Sequence, residues 1–341
     1  MVSIKNVSIR CGLSISTVSK ALNNRPDISP ETREYVCQVA KEMGYLPNSA
    51  ARSLKTHRSY NIGVLFVDKT QSGLAHEYFS TVLGSLQYAV GLQGYDVTFI
   101  GQNIGRDDMS YYEHCRYRGC DGVVIASADF TDPAVIELLE SDLPVVTIDF
   151  AFPGRTGVLS DNARGLRELA AYILGRGHRK IAFIHGEDTE VTRKRLAGFY
   201  EACEKAGLAV PDRYLRAALY HDPRSAARAT RELLSLPERP SCILYPDDFS
   251  FLGGREVIEE FGLSVPEDIS VAGFDGIELS QLMRPKLTTL RQDVKTLGQK
   301  AGGYLIERIE RPTSEFPSEV LVPGLLIEGE SVKEFSCKKG G

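Results

Sequence analysis

The chain reads as an α/β protein: a three-helix head and a hinge helix, followed by a two-lobed core of parallel, doubly wound sheets. Three observations carry that reading. Continuous apolar strands alternate with helical patterns from residue 61 onward, in two successive runs. The first 45 residues instead hold short helical patterns, punctuated by serines and glycines that mark helix starts and stops. Charge divides at the same place. Residues 1–60 hold nine Lys/Arg against four acids, a net of +5, which leaves −10 on the rest of a chain whose total is −5.

The head comes first. Ser3 is the expected N-cap of a helix from about Ile4 to Arg10, with Ile4, Val7 and Cys11 at helical spacing on its buried side. Gly12 supplies the turn. Ser14 caps a second helix that buries Val18 and Leu22 and shows Ile15, Ser16, Ser19 and Lys20 outward. Two short helices with this break form a helix-turn-helix, whose second helix lies in the major groove of double-stranded DNA. Residues near the start of that helix reach base edges, so Ile15 and Ser16 are the candidates for direct readout. Thr17, Lys20, Asn23 and Asn24 are candidates for backbone contacts that set register. Ser29-Pro30-Glu31 announces a third helix running to Gly44. Pro47 and Asn48 open a further short helix through Lys55. Leu54, its large apolar residue, stands beside Arg52 and Lys55, a composition suited to a minor-groove wedge.

The core repeats one pattern. Ile62–Val67 is a buried strand, followed by a helix from Tyr78 to Gly94. Strand Val97–Ile100, helix Tyr111–Arg118, strand Gly122–Ile125, helix Ala134–Glu140 and strand Val145–Ile148 complete the first run. The second has helix Ala163–Gly175, strand Ile181–Ile184, helices Lys194–Gly207 and Ser225–Leu236, strand Cys242–Tyr245, helix Phe251–Phe261 and strand Ile269–Gly273. Two runs imply two similar lobes, and ligands bind beyond the carboxyl ends of such strands. Asp161, Arg195, Asp247 and Asp275 all fall there, as a fork of donors and acceptors facing a shared cleft.

Composition sets limits. No apolar run reaches the length of a membrane span, and the N-terminus lacks the pattern of a signal peptide. Seven cysteines, an odd number with no C-x-x-C pair, suit reduced thiols, so the expected location is the cytoplasm. There is no G-x-G-x-x-G, no P-loop and no G-x-S-x-G, so no catalytic residue, cofactor or metal is expected. His185-Gly186-Glu187-Asp188 reads as a polar loop after a strand. Asp247-Asp248 reads as an acid pair at a helix start.

With these elements in place, the chain resembles the LacI/GalR family of bacterial transcriptional repressors. The resemblance rests on Ser3 to Asn23, Glu31-Thr32-Arg33, Gly44-Tyr45, Pro47-Asn48, Ala51-Arg52 and Leu54 in the head. In the core it rests on Asn61-Ile62-Gly63-Val64, Ser160-Asp161-Asn162, Gly177-His178-Arg179, Arg195 to Phe199, Pro266 to Asp275 and Leu287 to Leu290. It covers the chain to about Val332. It implies a DNA-binding head over 1–46, a hinge helix and linker over 47–60, and a periplasmic-binding-protein-like effector core over 61–332. The N-lobe would take about 61–160 and 290–320, the C-lobe 161–289 and 321–332, and 333–341 would be a tail without heptads. By the same resemblance a homodimer binds a pseudo-palindromic operator. Ser3, Ile4, Ser14, Ile15, Ser16, Thr17, Ser19, Lys20, Asn23, Asn48, Ala51, Leu54 and Lys55 then fall on the DNA-contacting positions. The effector positions match Asp161, Arg195, Asp247 and Asp275, with Tyr78, Phe79 and Tyr220 offering aromatic faces and Phe249 a further candidate. The implied effector is a sugar or sugar derivative, with a purine as the alternative. The chain departs from the family pattern at Asp247, where Asn is frequent, at Gly329, where Arg is frequent, at Lys20 for Arg, and in the pair Ile15-Ser16.

Overall fold

The computed structural model describes residues 2–46, 58–67, 74, 76–102 and 108–334. The expected hinge-helix positions Asn48, Ala51, Leu54 and Lys55 and most of the tail lie outside the described residues. The chain divides into two compact units between Tyr60 and Asn61.

The first unit holds α1 (Ile4–Cys11), α2 (Ile15–Leu22) and α3 (Pro30–Glu42). A serine opens each. Ser3 Oγ accepts the Asn6 N–H at 3.3 Å while Asn6 Oδ1 accepts the Ser3 N–H at 2.9 Å, a reciprocal cap. Ser14 Oγ accepts from Thr17 N at 3.0 Å and Ser29 Oγ from Thr32 N at 3.3 Å. Gly12, at φ +67°, ends α1 in the left-handed conformation that the helix-turn-helix bend requires. Val7, Val18 and Val36 are fully buried against one another, with Ala21, Val39 and Ala40 beside them.

The second unit is built on two six-stranded sheets. The first contains β1 (Asn61–Phe66), β2 (Asp96–Ile100), β3 (Gly122–Ser127), β4 (Val145–Ile148), β5 (Thr156–Ser160) and β11 (Glu319–Val322), all parallel, in the order β11-β5-β4-β3-β1-β2. The second contains β6 (Ile181–His185), β7 (Leu215–Ala217), β8 (Cys242–Leu244), β9 (Ser270–Asp275), β10 (Thr288–Arg291) and β12 (Leu325–Ile327). Its order is β12-β10-β9-β8-β6-β7, and β12 alone runs antiparallel to its neighbour. The middle strands of both are buried on both faces, as apolar runs such as Val123–Val124–Ile125 and Val271–Ala272 demand. In the first lobe α5 (Tyr111–Tyr117) and α6 (Pro133–Glu140) cover one face, and α4 (Glu77–Gly91) packs with α12 (Val294–Glu310). In the second, α7 (Asn162–Gly175) pairs with α8 (Glu190–Lys205), and α9 (Pro223–Leu234) with α10 (Phe251–Glu260). The short α11 (Glu278–Leu282) follows β9.

The chain passes between lobes three times: after β5, after β10 and after β11. The second and third passages lie slightly later than expected. Leu290 and Arg291 complete β10 in the second sheet, and Leu321 and Val322 complete β11 in the first. The chain crosses only where a strand has ended, at Gln292 and at Pro323-Gly324, because leaving earlier would break ladder hydrogen bonds.

Candidate functional site

Both sheets aim their carboxyl ends at one cavity of about 480 Å³ between the lobes. From the first lobe Tyr78, Phe79, Phe130, Asp149 and Phe150 line it. From the second come Arg195, Tyr220, His221 and Asp275, and from the crossing Gln292. Three of these residues, Asp149 (φ +54°), His221 (φ +57°) and Asp275 (φ +97°), hold left-handed backbone although none is glycine. Such strain persists where the surrounding structure enforces a functional geometry.

Arg195 is only 5% exposed. Its Nε donates to Asn162 Oδ1 and its Nη1 to the Pro246 carbonyl, both at 2.7 Å, and the guanidinium carbon sits 3.7 Å from the Phe274 ring centre. The remaining nitrogen, Nη2, lies 3.9 Å from Asp275 Oδ1. Gln292 Nε2 donates to that same oxygen at 2.6 Å. Gln292 Oε1, also buried, has no hydrogen-bond partner among the described residues. Burial pushes the Asp275 carboxyl up, against the opposing pull of His221 and Arg195. The inner end of the cavity thus offers one cationic donor edge and two acceptors on buried side chains. Opposite, the Tyr78 hydroxyl donates to Asp149 Oδ2 at 2.7 Å, and Asp149 Oδ1 accepts the Ser160 N–H at 2.7 Å. Burial, followed by the Asp149 charge, pushes the Tyr78 phenol well up, so it stays a donor. Phe130 and Phe150 stack 3.7 Å apart and 8° from parallel, an aromatic shelf at the rim.

Of the residues expected here, Tyr78, Phe79, Arg195, Tyr220 and Asp275 line the cavity. Asp161 and Asp247 do not. Asp161 caps α7, accepting the Arg164 N–H at 3.3 Å, and it is the next residue, Asn162, that reaches Arg195. Asp247 is fully buried behind His221 and accepts from His221 N at 2.9 Å, Ser250 N at 2.7 Å and Ser250 Oγ at 2.8 Å. Burial alone would raise its carboxyl, but the bond and charge of His221 pull it down to about 2. Phe249 meets His76 edge-on at 5.7 Å rather than the cavity. Asp149, His221, Gln292 and the Phe130–Phe150 pair were missed. Asp149 directly follows β4, and Asp275 ends β9, so the strand-end rule that found Asp275 applies to it too. At Gly329, a Cβ would stand 2.4 Å from the Lys286 carbonyl, so no arginine fits there without moving backbone.

On the head, Ser3, Ser14, Ile15, Ser16, Lys20 and Asn23 are exposed, while Ile4, Thr17 and Ser19 are half-buried. Ile15 is 47% exposed, so its side chain is available for contact. Ser14 is engaged as a cap, and Asn23 Nδ2 donates to the Ser19 carbonyl at 2.6 Å. Lys20 Nζ pairs with Asp27 at 2.5 Å, a contact that lowers the Asp27 carboxyl. Ser16 and Ile15 face outward from the first turn of α2, where base edges are reached. Among the described residues no group of His, Cys, Asp and Glu is arranged to hold a metal, and no helix is long and apolar enough to cross a membrane.

Comparison with known proteins gives these parts relatives. The model of the lacI family of bacterial regulatory proteins matches residues 3–48, and that of the periplasmic binding protein-like domain residues 170–332. The chain is 32% identical to the HTH-type transcriptional repressor PurR of Escherichia coli O139:H28 (strain E24377A / ETEC) over 98% of both chains. It is 30% identical to the probable HTH-type transcriptional repressor ExuR of Bacillus subtilis (strain 168), over 92% of this chain and 94% of that one. Among solved structures, the lac repressor dimer bound to operator and the anti-inducer ONPF is 25% identical with a TM-score of 0.83, covering 97% of this chain and 99% of that chain. The complex of the transcriptional regulator CelR with cellobiose is 26% identical with a TM-score of 0.70, covering 97% and 100%. A LacI family regulator from Enterococcus faecium with bound ribose is 26% identical with a TM-score of 0.69, covering 81% and 100%.

Proposed function

The chain belongs to the lacI family of bacterial regulatory proteins, and from that premise we propose that its cavity takes a sugar or sugar derivative whose binding sets the grip of the dimer on its operator. As a member of that family it is a DNA-binding transcriptional regulator under small-molecule control. The finer assignment rests chiefly on the buried constellation Arg195–Asp275–Gln292. One charged donor beside two acceptors reads adjacent hydroxyl groups, which both donate and accept. The aromatic rings opposite suit the apolar C–H face of a sugar ring. Relatives carrying cellobiose and ribose favour the same class. Tyr78 and His221, 6.5 Å apart and 26° from parallel, also suit a flat heterocycle, so a purine is the second reading.

In the head, Ile15 and Ser16 read bases, while Ser3, Ile4, Ser14, Thr17, Ser19, Lys20 and Asn23 set register, with Asn48, Ala51, Leu54 and Lys55 at the minor groove. The protein works in the cytoplasm and releases its ligand unchanged.

A thermal-shift screen with sugars and purines tests the effector. A ligand at about a hundred times its Kd stabilises the fold by ~2.7 kcal/mol. The expected outcome is an upward shift with at least one sugar that Asp275→Asn abolishes. Shifts with purines alone overturn the sugar assignment, and a sugar shift that survives Asp275→Asn overturns the placement of the site.

A further inference from the structure

Cys115 and Cys120 stand at the end of α5 in the first lobe, and the effector reading uses neither. Gly119, at φ +62°, turns the chain back after the helix. The Cys120 N–H then donates to the Cys115 carbonyl at 2.9 Å, and the Gly119 N–H to the Arg116 carbonyl at 3.0 Å. These two bonds make a Schellman ending, in which the side chains of the first and sixth residues, Cys115 and Cys120, are placed to meet. With standard backbone dimensions the 2.9 Å bond keeps their α-carbons within about 6.8 Å, inside the span that a disulfide bridges. Both cysteines are free. Cys115 is fully buried and Cys120 is 7% exposed, in the same apolar cluster. Arg116 to Gly119, the residues between them, are exposed, so the pair lies just beneath a solvated turn.

We propose that Cys115 and Cys120 form a peroxide-sensitive dithiol, which closes to a disulfide within the folded first lobe and reopens on reduction.

Hydrogen bonding marks Cys120 as the attacking sulfur. Asn61 Nδ2 donates to its Sγ at 3.6 Å. A bond from the Cys115 S–H holds the Cys120 thiol below its ordinary value, although burial and the Asp121 charge push it up. Cys115, which gives that bond, is pushed up by it and by burial. At Cys203 and Cys242, in the second lobe, burial alone acts, and it pushes both thiols up. The thiolate is the reactive form, so Cys120 leads. Its sulfur attacks one oxygen of hydrogen peroxide. An S–O bond forms, the O–O bond breaks, and the departing hydroxide takes up the proton that Cys120 released, giving water. The Cys115 sulfur then attacks the sulfenic sulfur of Cys120. The S–S bond forms, the S–O bond breaks, and the departing hydroxide takes the Cys115 proton as a second water. The two sulfurs lose two electrons, and the peroxide gains them. An external dithiol restores the pair by exchange. Asn61 gives the position meaning. It opens β1, where the core takes up the chain from the head, and its side chain also holds the Arg118 carbonyl at 3.1 Å and the Thr98 hydroxyl at 2.8 Å. Closure removes the thiolate from this set, so oxidation is felt at the first residue of the core.

The test uses full-length, ligand-free protein, so it succeeds or fails independently of any effector screen. Reduced protein is exposed to hydrogen peroxide without denaturant, blocked with N-ethylmaleimide and digested with trypsin for mass spectrometry. Trypsin cuts after Arg116 and Arg118, so the closed pair appears as two peptides joined by a disulfide. That linked pair should accumulate about tenfold faster than any oxidation of Cys203 or Cys242, and dithiothreitol should abolish it. Cys115→Ser should stop Cys120 at the sulfenic acid, which dimedone captures, and Cys120→Ser should leave Cys115 a thiol. The measurement on the unsubstituted protein needs neither variant to fold. Oxidation of Cys120 no faster than that of Cys242, a linked pair that forms only in denaturant, or pairing of Cys120 with another cysteine overturns the dithiol.

Discussion

Asp248 shows how one side chain can mislead a reading of sequence. Next to Asp247 it looked like half of a helix-start acid pair, yet the two carboxyls live opposite lives. Asp247 is pulled down to about 2, while burial, with help from the nearby Asp275 charge, pushes Asp248 well above the carboxylate range. Asp248 Oδ1 accepts from Thr289 Oγ1 at 2.6 Å and its Oδ2 from Ile277 N at 3.0 Å, and neither bond brings a positive charge. The folded state therefore holds this proton more tightly than the unfolded chain. Below an unfolded value of ~3.9 both states are protonated and nothing is lost; above it the unfolded state ionises alone and stability falls with rising pH. Asp248→Asn removes that loss. Its Tm should equal the parent's near pH 4 and exceed it at pH 8, where ~1 kcal/mol is worth roughly 2–4 °C. A lower Tm at pH 8 would show that Asp248 is folded as the anion. Sequence could not separate the two acids, because what distinguishes them is a histidine 26 positions away in one case and its absence in the other.

Elements were legible where they carry both caps and a periodic apolar face. The three head helices satisfy both conditions, and their serine caps stand where the pattern placed them. Ser14→Ala deletes the acceptor for the Thr17 N–H and should cost about 1 kcal/mol of head stability. Exchange of the α2 amides should then speed up about fivefold, and unchanged rates would mean that packing of Val18 alone fixes the helix. Other elements escaped notice for different reasons. Strands β7 and β12 span three residues each at the edges of their sheet, with partly exposed side chains. Helix α12 contains Gly298, Gly302 and Gly303, which weaken helical propensity. The structure explains the first: a Cβ on Gly298 would stand 2.2 Å from Ser85 Oγ and the Val82 carbonyl of α4. Close approach of two helices was chosen over propensity. Strand ends likewise guided the site only roughly, since one residue of register separates the cap Asp161 from the Arg195 partner Asn162.

At the scale of the whole molecule, charge and connectivity dominate. A head of net +5 on a body of −10 binds a polyanion by releasing counterions, so log affinity for operator should fall linearly with log salt at about 0.9 per phosphate neutralised. Lys20 is tied to Asp27 in the free head, and Lys20→Ala should reduce that slope by about one. An unchanged slope would leave Lys20 with Asp27 in the complex as well. The three passages between lobes have a different consequence, one of timing. The first sheet is not complete until β11 at Glu319–Val322, and the second not until β12 at Leu325–Ile327. On the ribosome the head has all its residues within the first sixty and can fold as a unit at once. Neither lobe can close its sheet until Glu319 and beyond have been made. The reader of DNA is thus made long before the part that governs it, and a chain cut short between Tyr60 and Glu319 holds the one without the other.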